Sequence, residues 1–292
     1  MKKLVCLLLA LSMVFCFVAC KDNKTTSTDG TNSSDTTSAP AGQAVIKSDK
    51  AVGFQLDQPK AGEKAAVLHT NYGDIYIRLF ADEAPKTVEN FIGLIEKGYY
   101  NDLIFHRIIK GFCVQGGDPK GNGTGGESFW GKDFEDEFCD KLMNISYSVA
   151  MANSGPNTNG SQFFINHSTT KTIDRKQYEY ESQLSQMEAM YQQYAAYYTD
   201  FTTYYPTVES FIQENLTVDS RLVPEDVWKL YEANGGNISL DGAWRAKGGH
   251  TVFGQVYAGQ DVVDKIAAVE VGENDKPVKD VIIESAEIIT VS

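Results

Sequence analysis

Between Ala66 and Phe80 apolar and polar positions alternate around a turn, Asn71-Tyr72-Gly73-Asp74, so that Ile75, Ile77 and Leu79 fall on one face. A period of two broken by a turn signal predicts a β-hairpin. The period then changes: Val88, Phe91, Ile92 and Ile95 recur at three- to four-residue spacing, behind Pro85 and ahead of Gly98. This predicts a helix that opens at the proline and stops at the glycine. Short apolar runs separated by glycine-rich turns follow, and Val281 to Val291 reads as a final strand. Many short strands and few helices predict a mainly β domain whose sheet closes into a barrel. A helical stretch interrupts the pattern. Leu184, Met187, Tyr191, Tyr194 and Tyr198 predict one amphipathic helix, and a second runs from Val223-Pro224-Glu225-Asp226 to Gly235-Gly236, with Val227, Leu230 and Tyr231 on its apolar side.

At the N-terminus, Lys2 and Lys3 precede an apolar run from Leu4 to Val18. The run is short for a membrane span and matches the core of an export signal. It ends in Phe17-Val18-Ala19-Cys20, which resembles a bacterial lipobox, although Phe17 stands where that pattern usually has Leu. Residues 1–19 are therefore expected to be a lipoprotein signal peptide and Cys20 to carry lipid. Residues 21–44 hold almost nothing to bury and predict a disordered tether. Residues 20–61 are accordingly assigned to the lipidated cysteine and tether, with the globular part starting near Gly62. The expected location is the cell membrane, lipid-anchored on its extracytoplasmic face.

A net charge of −13 without any basic stripe argues against nucleic acid as a partner. Of five cysteines, Cys6 and Cys16 would leave with the signal and Cys20 would be lipidated. Cys113 and Cys139 then remain, which is no disulfide framework; an oxidising exterior would allow them to pair, and two free buried thiols is the favoured state. The four histidines, His69, His106, His167 and His250, lack ligand spacing, so no metal site is expected.

Two long blocks carry the chemistry. Phe105 to Asp118, FHRIIKGFCVQGGD, sets Arg107 among residues that otherwise read as buried strand, and Met151 to Ile165 reads MANSGPNTNGSQFFI. Together they resemble the paired signatures of the cyclophilin family of peptidyl-prolyl cis/trans isomerases, over roughly residues 66–165 and 249–291. The resemblance implies an eight-stranded antiparallel barrel capped by two helices, acting on proline-containing unfolded or extended polypeptides without a cofactor. It implies Arg107 and Gln115 as catalytic residues, with Phe112, Cys113, Ala152, Asn153, Gln162, Phe164 and His250 lining the substrate groove. Cys113 stands where the family commonly has Met, which implies a looser proline pocket.

An arginine suits this reaction. The amide barrier of roughly 18–20 kcal/mol falls when resonance is lost, and the prolyl nitrogen accepts a hydrogen bond only in the twisted state. A permanently charged fork can hold the neighbouring carbonyl while facing that nitrogen. His106, on the opposite strand face, is expected to make a structural hydrogen bond. Gly121 to Gly126, GNGTGG, lacks the ending of a phosphate loop and reads as a groove-edge loop. Asp133, Glu135, Asp136 and Glu137 read as a solvated turn.

The family pattern breaks after Ser168, and residues 169–239 read as a helical insertion. Leu240-Asp241-Gly242 resembles the segment that precedes the family histidine, but Ala243 to Gly249 intervenes before His250. Trp244 then either occupies the groove position of the family tryptophan, the favoured placement, or belongs to the insertion's own core. Binding of cyclosporin-like macrocycles depends on which holds. The functional expectation is an isomerase assisting the folding of exported proteins. A non-catalytic peptide-binding or adhesion lipoprotein on the same scaffold is the alternative, disfavoured by Arg107, Phe112 and Gln115 occurring together. A solute receptor would fit the N-terminus alone.

Overall fold

The computed structural model describes residues 43–171, 173–198 and 200–292. The expected signal peptide, Cys20 and the tether as far as residue 42 lie outside the described residues.

The predicted hairpin forms from β2 (Lys64–Thr70) and β3 (Gly73–Leu79), and α1 (Pro85–Glu96) follows it. Five short strands of the same sheet come next, β4 (Leu103–Ile104), β5 (Arg107–Ile109), β6 (Cys113–Gly116), β8 (Ser148–Met151) and β9 (Phe163–Asn166). After the insertion, β10 (Val252–Ala258), α6 (Gln260–Ala267) and β11 (Ile282–Thr290) complete the body. Among the described residues one antiparallel nine-stranded sheet results, in the order β4-β11-β2-β3-β10-β8-β9-β6-β5. Its two edges, β4 and β5, are separated along the chain only by Phe105 and His106. Two residues span at most about 7 Å, so the sheet has to curl until its edges meet. The expected count of eight strands becomes nine because this one segment breaks where Phe105 turns fully into the core.

Period-two alternation divides the strand residues between two faces. Ile77, Ile108, Val114, Val149, Ile165 and Phe253 point inward, and α1 adds Val88, Phe91 and Leu94 to the same core. The Phe91 ring lies 5.0 Å from Phe253 and 5.3 Å from both Tyr100 and Phe163. The first turn of α1 carries no cap of its own. Instead Glu137 accepts from the Lys86 N–H at 3.1 Å, the Thr87 N–H at 2.8 Å and the Thr87 hydroxyl at 2.8 Å. A carboxylate there satisfies orphan donors and complements the helix dipole. Glu137 is therefore buried and structural, in contrast to the solvated turn expected for its acidic group.

The folded body also begins ahead of Gly62. Val45–Ile46 forms β1, which pairs in parallel with β7 (Phe138–Cys139). Gln55, 1% exposed, accepts from the Met143 N–H at 2.9 Å and donates to the Met143 carbonyl at 3.1 Å and to Gln255 at 3.0 Å. Phe54 stacks edge-on to Phe80 at 5.4 Å. This segment docks through a few side-chain hydrogen bonds and isolated apolar residues, which leave no periodic signal in the sequence.

Among its described residues the insertion contains four α-helices where two were expected: α2 (Tyr180–Tyr197), α3 (Phe201–Tyr204), α4 (Val208–Asn215) and α5 (Glu225–Asn234). They divide into two packing groups. Met187, Tyr191, Phe211, Ile212 and Leu216 make a small core among α2, α3 and α4. Val227, Trp228 and Tyr231 of α5 pack instead with Met143 and Ile145 of the preceding chain. Buried Asp241 joins the second group to the barrel. It accepts from the Asn144 N–H at 2.8 Å and the Tyr231 hydroxyl at 2.6 Å, and burial raises its pKa to about 6.

Candidate active site

Strand register brings Arg107, Gln115, Phe164 and Ala150 into one row across β5, β6, β9 and β8. Directly opposed residues share a face, and their neighbours Ile108, Val114, Ile165 and Val149 fill the core. The row therefore faces outward, and it carries five of the expected site residues once Cys113 and Phe112 beside it are included. Cys113, Phe164 and Ala150 are buried together, with Phe112 and Ala152 partly buried against them.

Arg107 lies at one end. Its guanidinium donates to the Gln115 side-chain oxygen at 3.4 Å, contacts the Cys113 sulfur at 3.6 Å and sits 5.8 Å from the centre of the Phe112 ring. Gln115 in turn donates to the Gln162 oxygen at 3.0 Å, and Gln162 donates to the carbonyls of Gly123 at 3.1 Å and Gly125 at 2.8 Å. The two carbonyls can only accept, so Gln162 must turn its nitrogen to them and its oxygen to Gln115. Gln115 then has to give its nitrogen to Gln162 and its oxygen to Arg107. The glycine-rich loop thus fixes both amides.

The other end holds His250. Its ring meets Phe164 edge-on at 5.3 Å and its Nδ1 pairs with the Met151 carbonyl at 2.9 Å. Burial lowers its pKa to about 4, outweighing the Met151 carbonyl, so it is neutral at pH 7. Asn153 donates from its side chain to the Gly249 carbonyl at 2.9 Å, and the Ala152 N–H donates to the Gln162 carbonyl at 3.0 Å. Cys113 is a free thiol whose pKa burial pushes up to about 11.

Trp244 does not join this surface. It is 5% exposed and packs with Met143, Ile145, Val223 and Trp228 in the core beneath α5. The cause is a closed loop: the His250 N–H bonds the Leu240 carbonyl at 2.9 Å, so residues 241–249 leave the groove and return to it. The favoured groove placement is thereby corrected. His106 also departs from expectation, since both its ring nitrogens are buried with no hydrogen-bond partner among the described residues. The sequence reading missed Asp275, whose carboxylate lies 3.7 Å from Arg107 Nε. It sits in a 3-10 turn with Asn274, both at left-handed φ (58° and 57°), and no spacing rule connects that turn to Arg107. Among the described residues no cluster of His, Cys, Asp or Glu could hold a metal ion, and no helix is long and apolar enough to cross a membrane.

A closed antiparallel barrel with two capping helices and an outward row of Arg, Gln and Phe defines a cyclophilin-like protein. The family described as cyclophilin type peptidyl-prolyl cis-trans isomerase/CLD matches residues 65–191 and 235–288. An inferred peptidyl-prolyl cis-trans isomerase of Staphylococcus haemolyticus is 40% identical over 226 residues, covering 77% of this chain and 91% of the relative. An inferred bifunctional phosphatase/peptidyl-prolyl cis-trans isomerase of Streptococcus pyogenes is 40% identical over 243 residues, and there the match spans only 42% of the relative's length. A crystal structure of a Cryptosporidium parvum cyclophilin-type isomerase superposes with a TM-score of 0.52 at 26% identity, over 79% of this chain and 99% of that one. A second crystal structure of that protein, determined in the presence of the dipeptide Ala-Pro, gives a TM-score of 0.50. The chain belongs to the cyclophilin-type peptidyl-prolyl cis-trans isomerase family and is an isomerase.

Proposed function

We propose that the row from Arg107 to Phe164 is the catalytic face, and that the enzyme isomerises Xaa-Pro bonds in exported polypeptides while tethered to the membrane through Cys20. The observation that carries the catalytic part is the guanidinium of Arg107, half-buried beside Phe112 and held by an amide whose orientation is already decided. An extended substrate would set its proline ring against Phe112 and Phe164, with Cys113 at the floor. Asn153 spends its side chain on Gly249, which leaves its backbone to pair with the peptide. Arg107 then donates to the carbonyl before the proline and to the prolyl nitrogen as resonance is lost, a contact made fully only in the twisted state. No nucleophile takes part, consistent with Cys113 staying a protonated thiol. The Ala-Pro dipeptide present with the Cryptosporidium protein supports proline-containing peptides as ligands.

Export and anchoring rest on the apolar run ending at Cys20. The insertion adds a surface for unfolded clients, with Tyr197, Tyr198 and Tyr204 at 79%, 62% and 78% exposed. Tyrosines offer apolar area with polar tips, suited to weak, adaptable contacts. The test has two arms. A protease-coupled assay with a proline-containing tetrapeptide should show catalysis, and mass spectrometry of protein from membranes should show a lipid-modified N-terminal Cys20. Catalysis on a protein that retains Met1 would leave the isomerase and remove the anchor.

A further inference from the structure

His167 lies one residue beyond β9 and is buried at 6% exposure, away from the row described above. Three partners surround it. Its backbone N–H donates to the Phe112 carbonyl at 2.9 Å, and its ring Nδ1 faces the Gly111 N–H at 3.2 Å. On the far side its Nε2 lies 3.2 Å from Asp264 of α6, which also accepts from the Tyr147 hydroxyl at 2.8 Å.

These contacts fix the tautomer. An amide N–H can only donate, so Nδ1 must be the acceptor, and Nε2 must carry the proton it gives to Asp264. Both bonds that His167 makes on its inner side reach the same turn, Lys110-Gly111-Phe112. Gly111 sits there at φ 83°, and no heavy atom would lie within 4 Å of a Cβ built on it. Side-chain packing therefore does not hold the turn at Gly111, which leaves the hydrogen bonds to do so.

We infer that His167, oriented by Asp264 and Tyr147, is a positioning residue that holds the Phe112 turn in the conformation that receives the substrate proline. This rests on the reading of Phe112 as a wall of the proline pocket. Removing the Nδ1 acceptor costs the turn one of its two ties to His167, the other being the backbone bond to Phe112. Substrate binding should then weaken more than the chemical step, because Arg107 keeps its contacts with Gln115 and Asp275.

The experiment uses the full chain, a proline-containing tetrapeptide and steady-state kinetics. His167→Phe keeps a ring and removes the acceptor; it should raise KM roughly tenfold while kcat stays within about threefold. His167→Asn, whose side-chain oxygen can reach the Gly111 N–H, should recover most of the KM. Asp264→Ala removes the carboxylate that orients the ring and should raise KM by less than His167→Phe does; its exposed position keeps the test available if His167→Phe does not fold. Phe112→Ala separates the two readings. If it raises KM and neither His167→Phe nor Asp264→Ala does, or if His167→Asn recovers nothing, the inference about His167 is wrong. If Phe112→Ala itself leaves KM unchanged, the pocket assignment fails first.

Discussion

Replacing Gln115 by Ala should lower kcat/KM about tenfold, and the loss should depend on Arg107. The substitution removes the acceptor 3.4 Å from the guanidinium and frees Gln162 from its partner. A hydrogen bond to a charged group contributes about 1.5–3 kcal/mol, and this one is long, so the lower end applies. About 1.5 kcal/mol corresponds to roughly tenfold in rate. The guanidinium keeps its contact with Cys113 and its ion pair with Asp275 at 3.7 Å, so activity should persist. A protease-coupled assay on Gln115→Ala, Arg107→Ala and the double variant decides the matter. If Gln115 acts by orienting Arg107, its loss should cost less than about twofold once Arg107 is absent, a coupling close to the full single effect. An undiminished tenfold loss in the Arg107→Ala background would refute the orienting role.

Three more outcomes are expected. Trp244→Ala should destabilise the fold by about 3–5 kcal/mol in urea melts while leaving tetrapeptide KM within about twofold, since Trp244 fills the core beneath α5; a raised KM with little destabilisation would return it to the groove. Burial lowers His250 from 6.5 to about 4, so between these values the unfolded chain takes up a proton that the folded one refuses. Stability should fall as pH drops through that window, by at most about 3 kcal/mol from this group, and urea melts of His250→Gln should lack that share of the acid loss. Replacing residues 180–216 by a short Gly/Ser linker removes only the helices that form their own core, so tetrapeptide turnover should stay within about tenfold while catalysed refolding of a proline-limited protein falls further. Equal losses in both assays would place those helices in the catalytic structure.

The elements with a regular period were legible in the sequence: the hairpin at 64–79, α1, the last strand and the packed side of α2 from Leu184 to Tyr194, although Tyr198, expected on that side, lies past the helix end and is exposed. The residues Arg107, Gln115 and Phe164 were legible through the family resemblance of the two motifs that hold them, and the register of β5, β6 and β9 then sets them in one row. Contacts that depend on chain closure were not. Trp244 follows a loop closed by one backbone hydrogen bond, and Gln55 docks through single side-chain bonds at a separation of 88 and 200 residues. Glu137 reads as one acid among four until α1 presents its N-terminus to it. The insertion reads in sequence as one helical segment, yet α5 shares its core with Met143 and Ile145 while α2 to α4 form a core of their own, so only the outer helices are separable.

The most direct test of the central claim is kcat/KM for a proline-containing tetrapeptide with wild-type protein and with folded Arg107→Ala. Loss of a donor that acts in the transition state costs about 3–4 kcal/mol. The account predicts a fall of a hundredfold or more, with an unchanged circular dichroism spectrum. A folded Arg107→Ala protein within about threefold of wild type would contradict it.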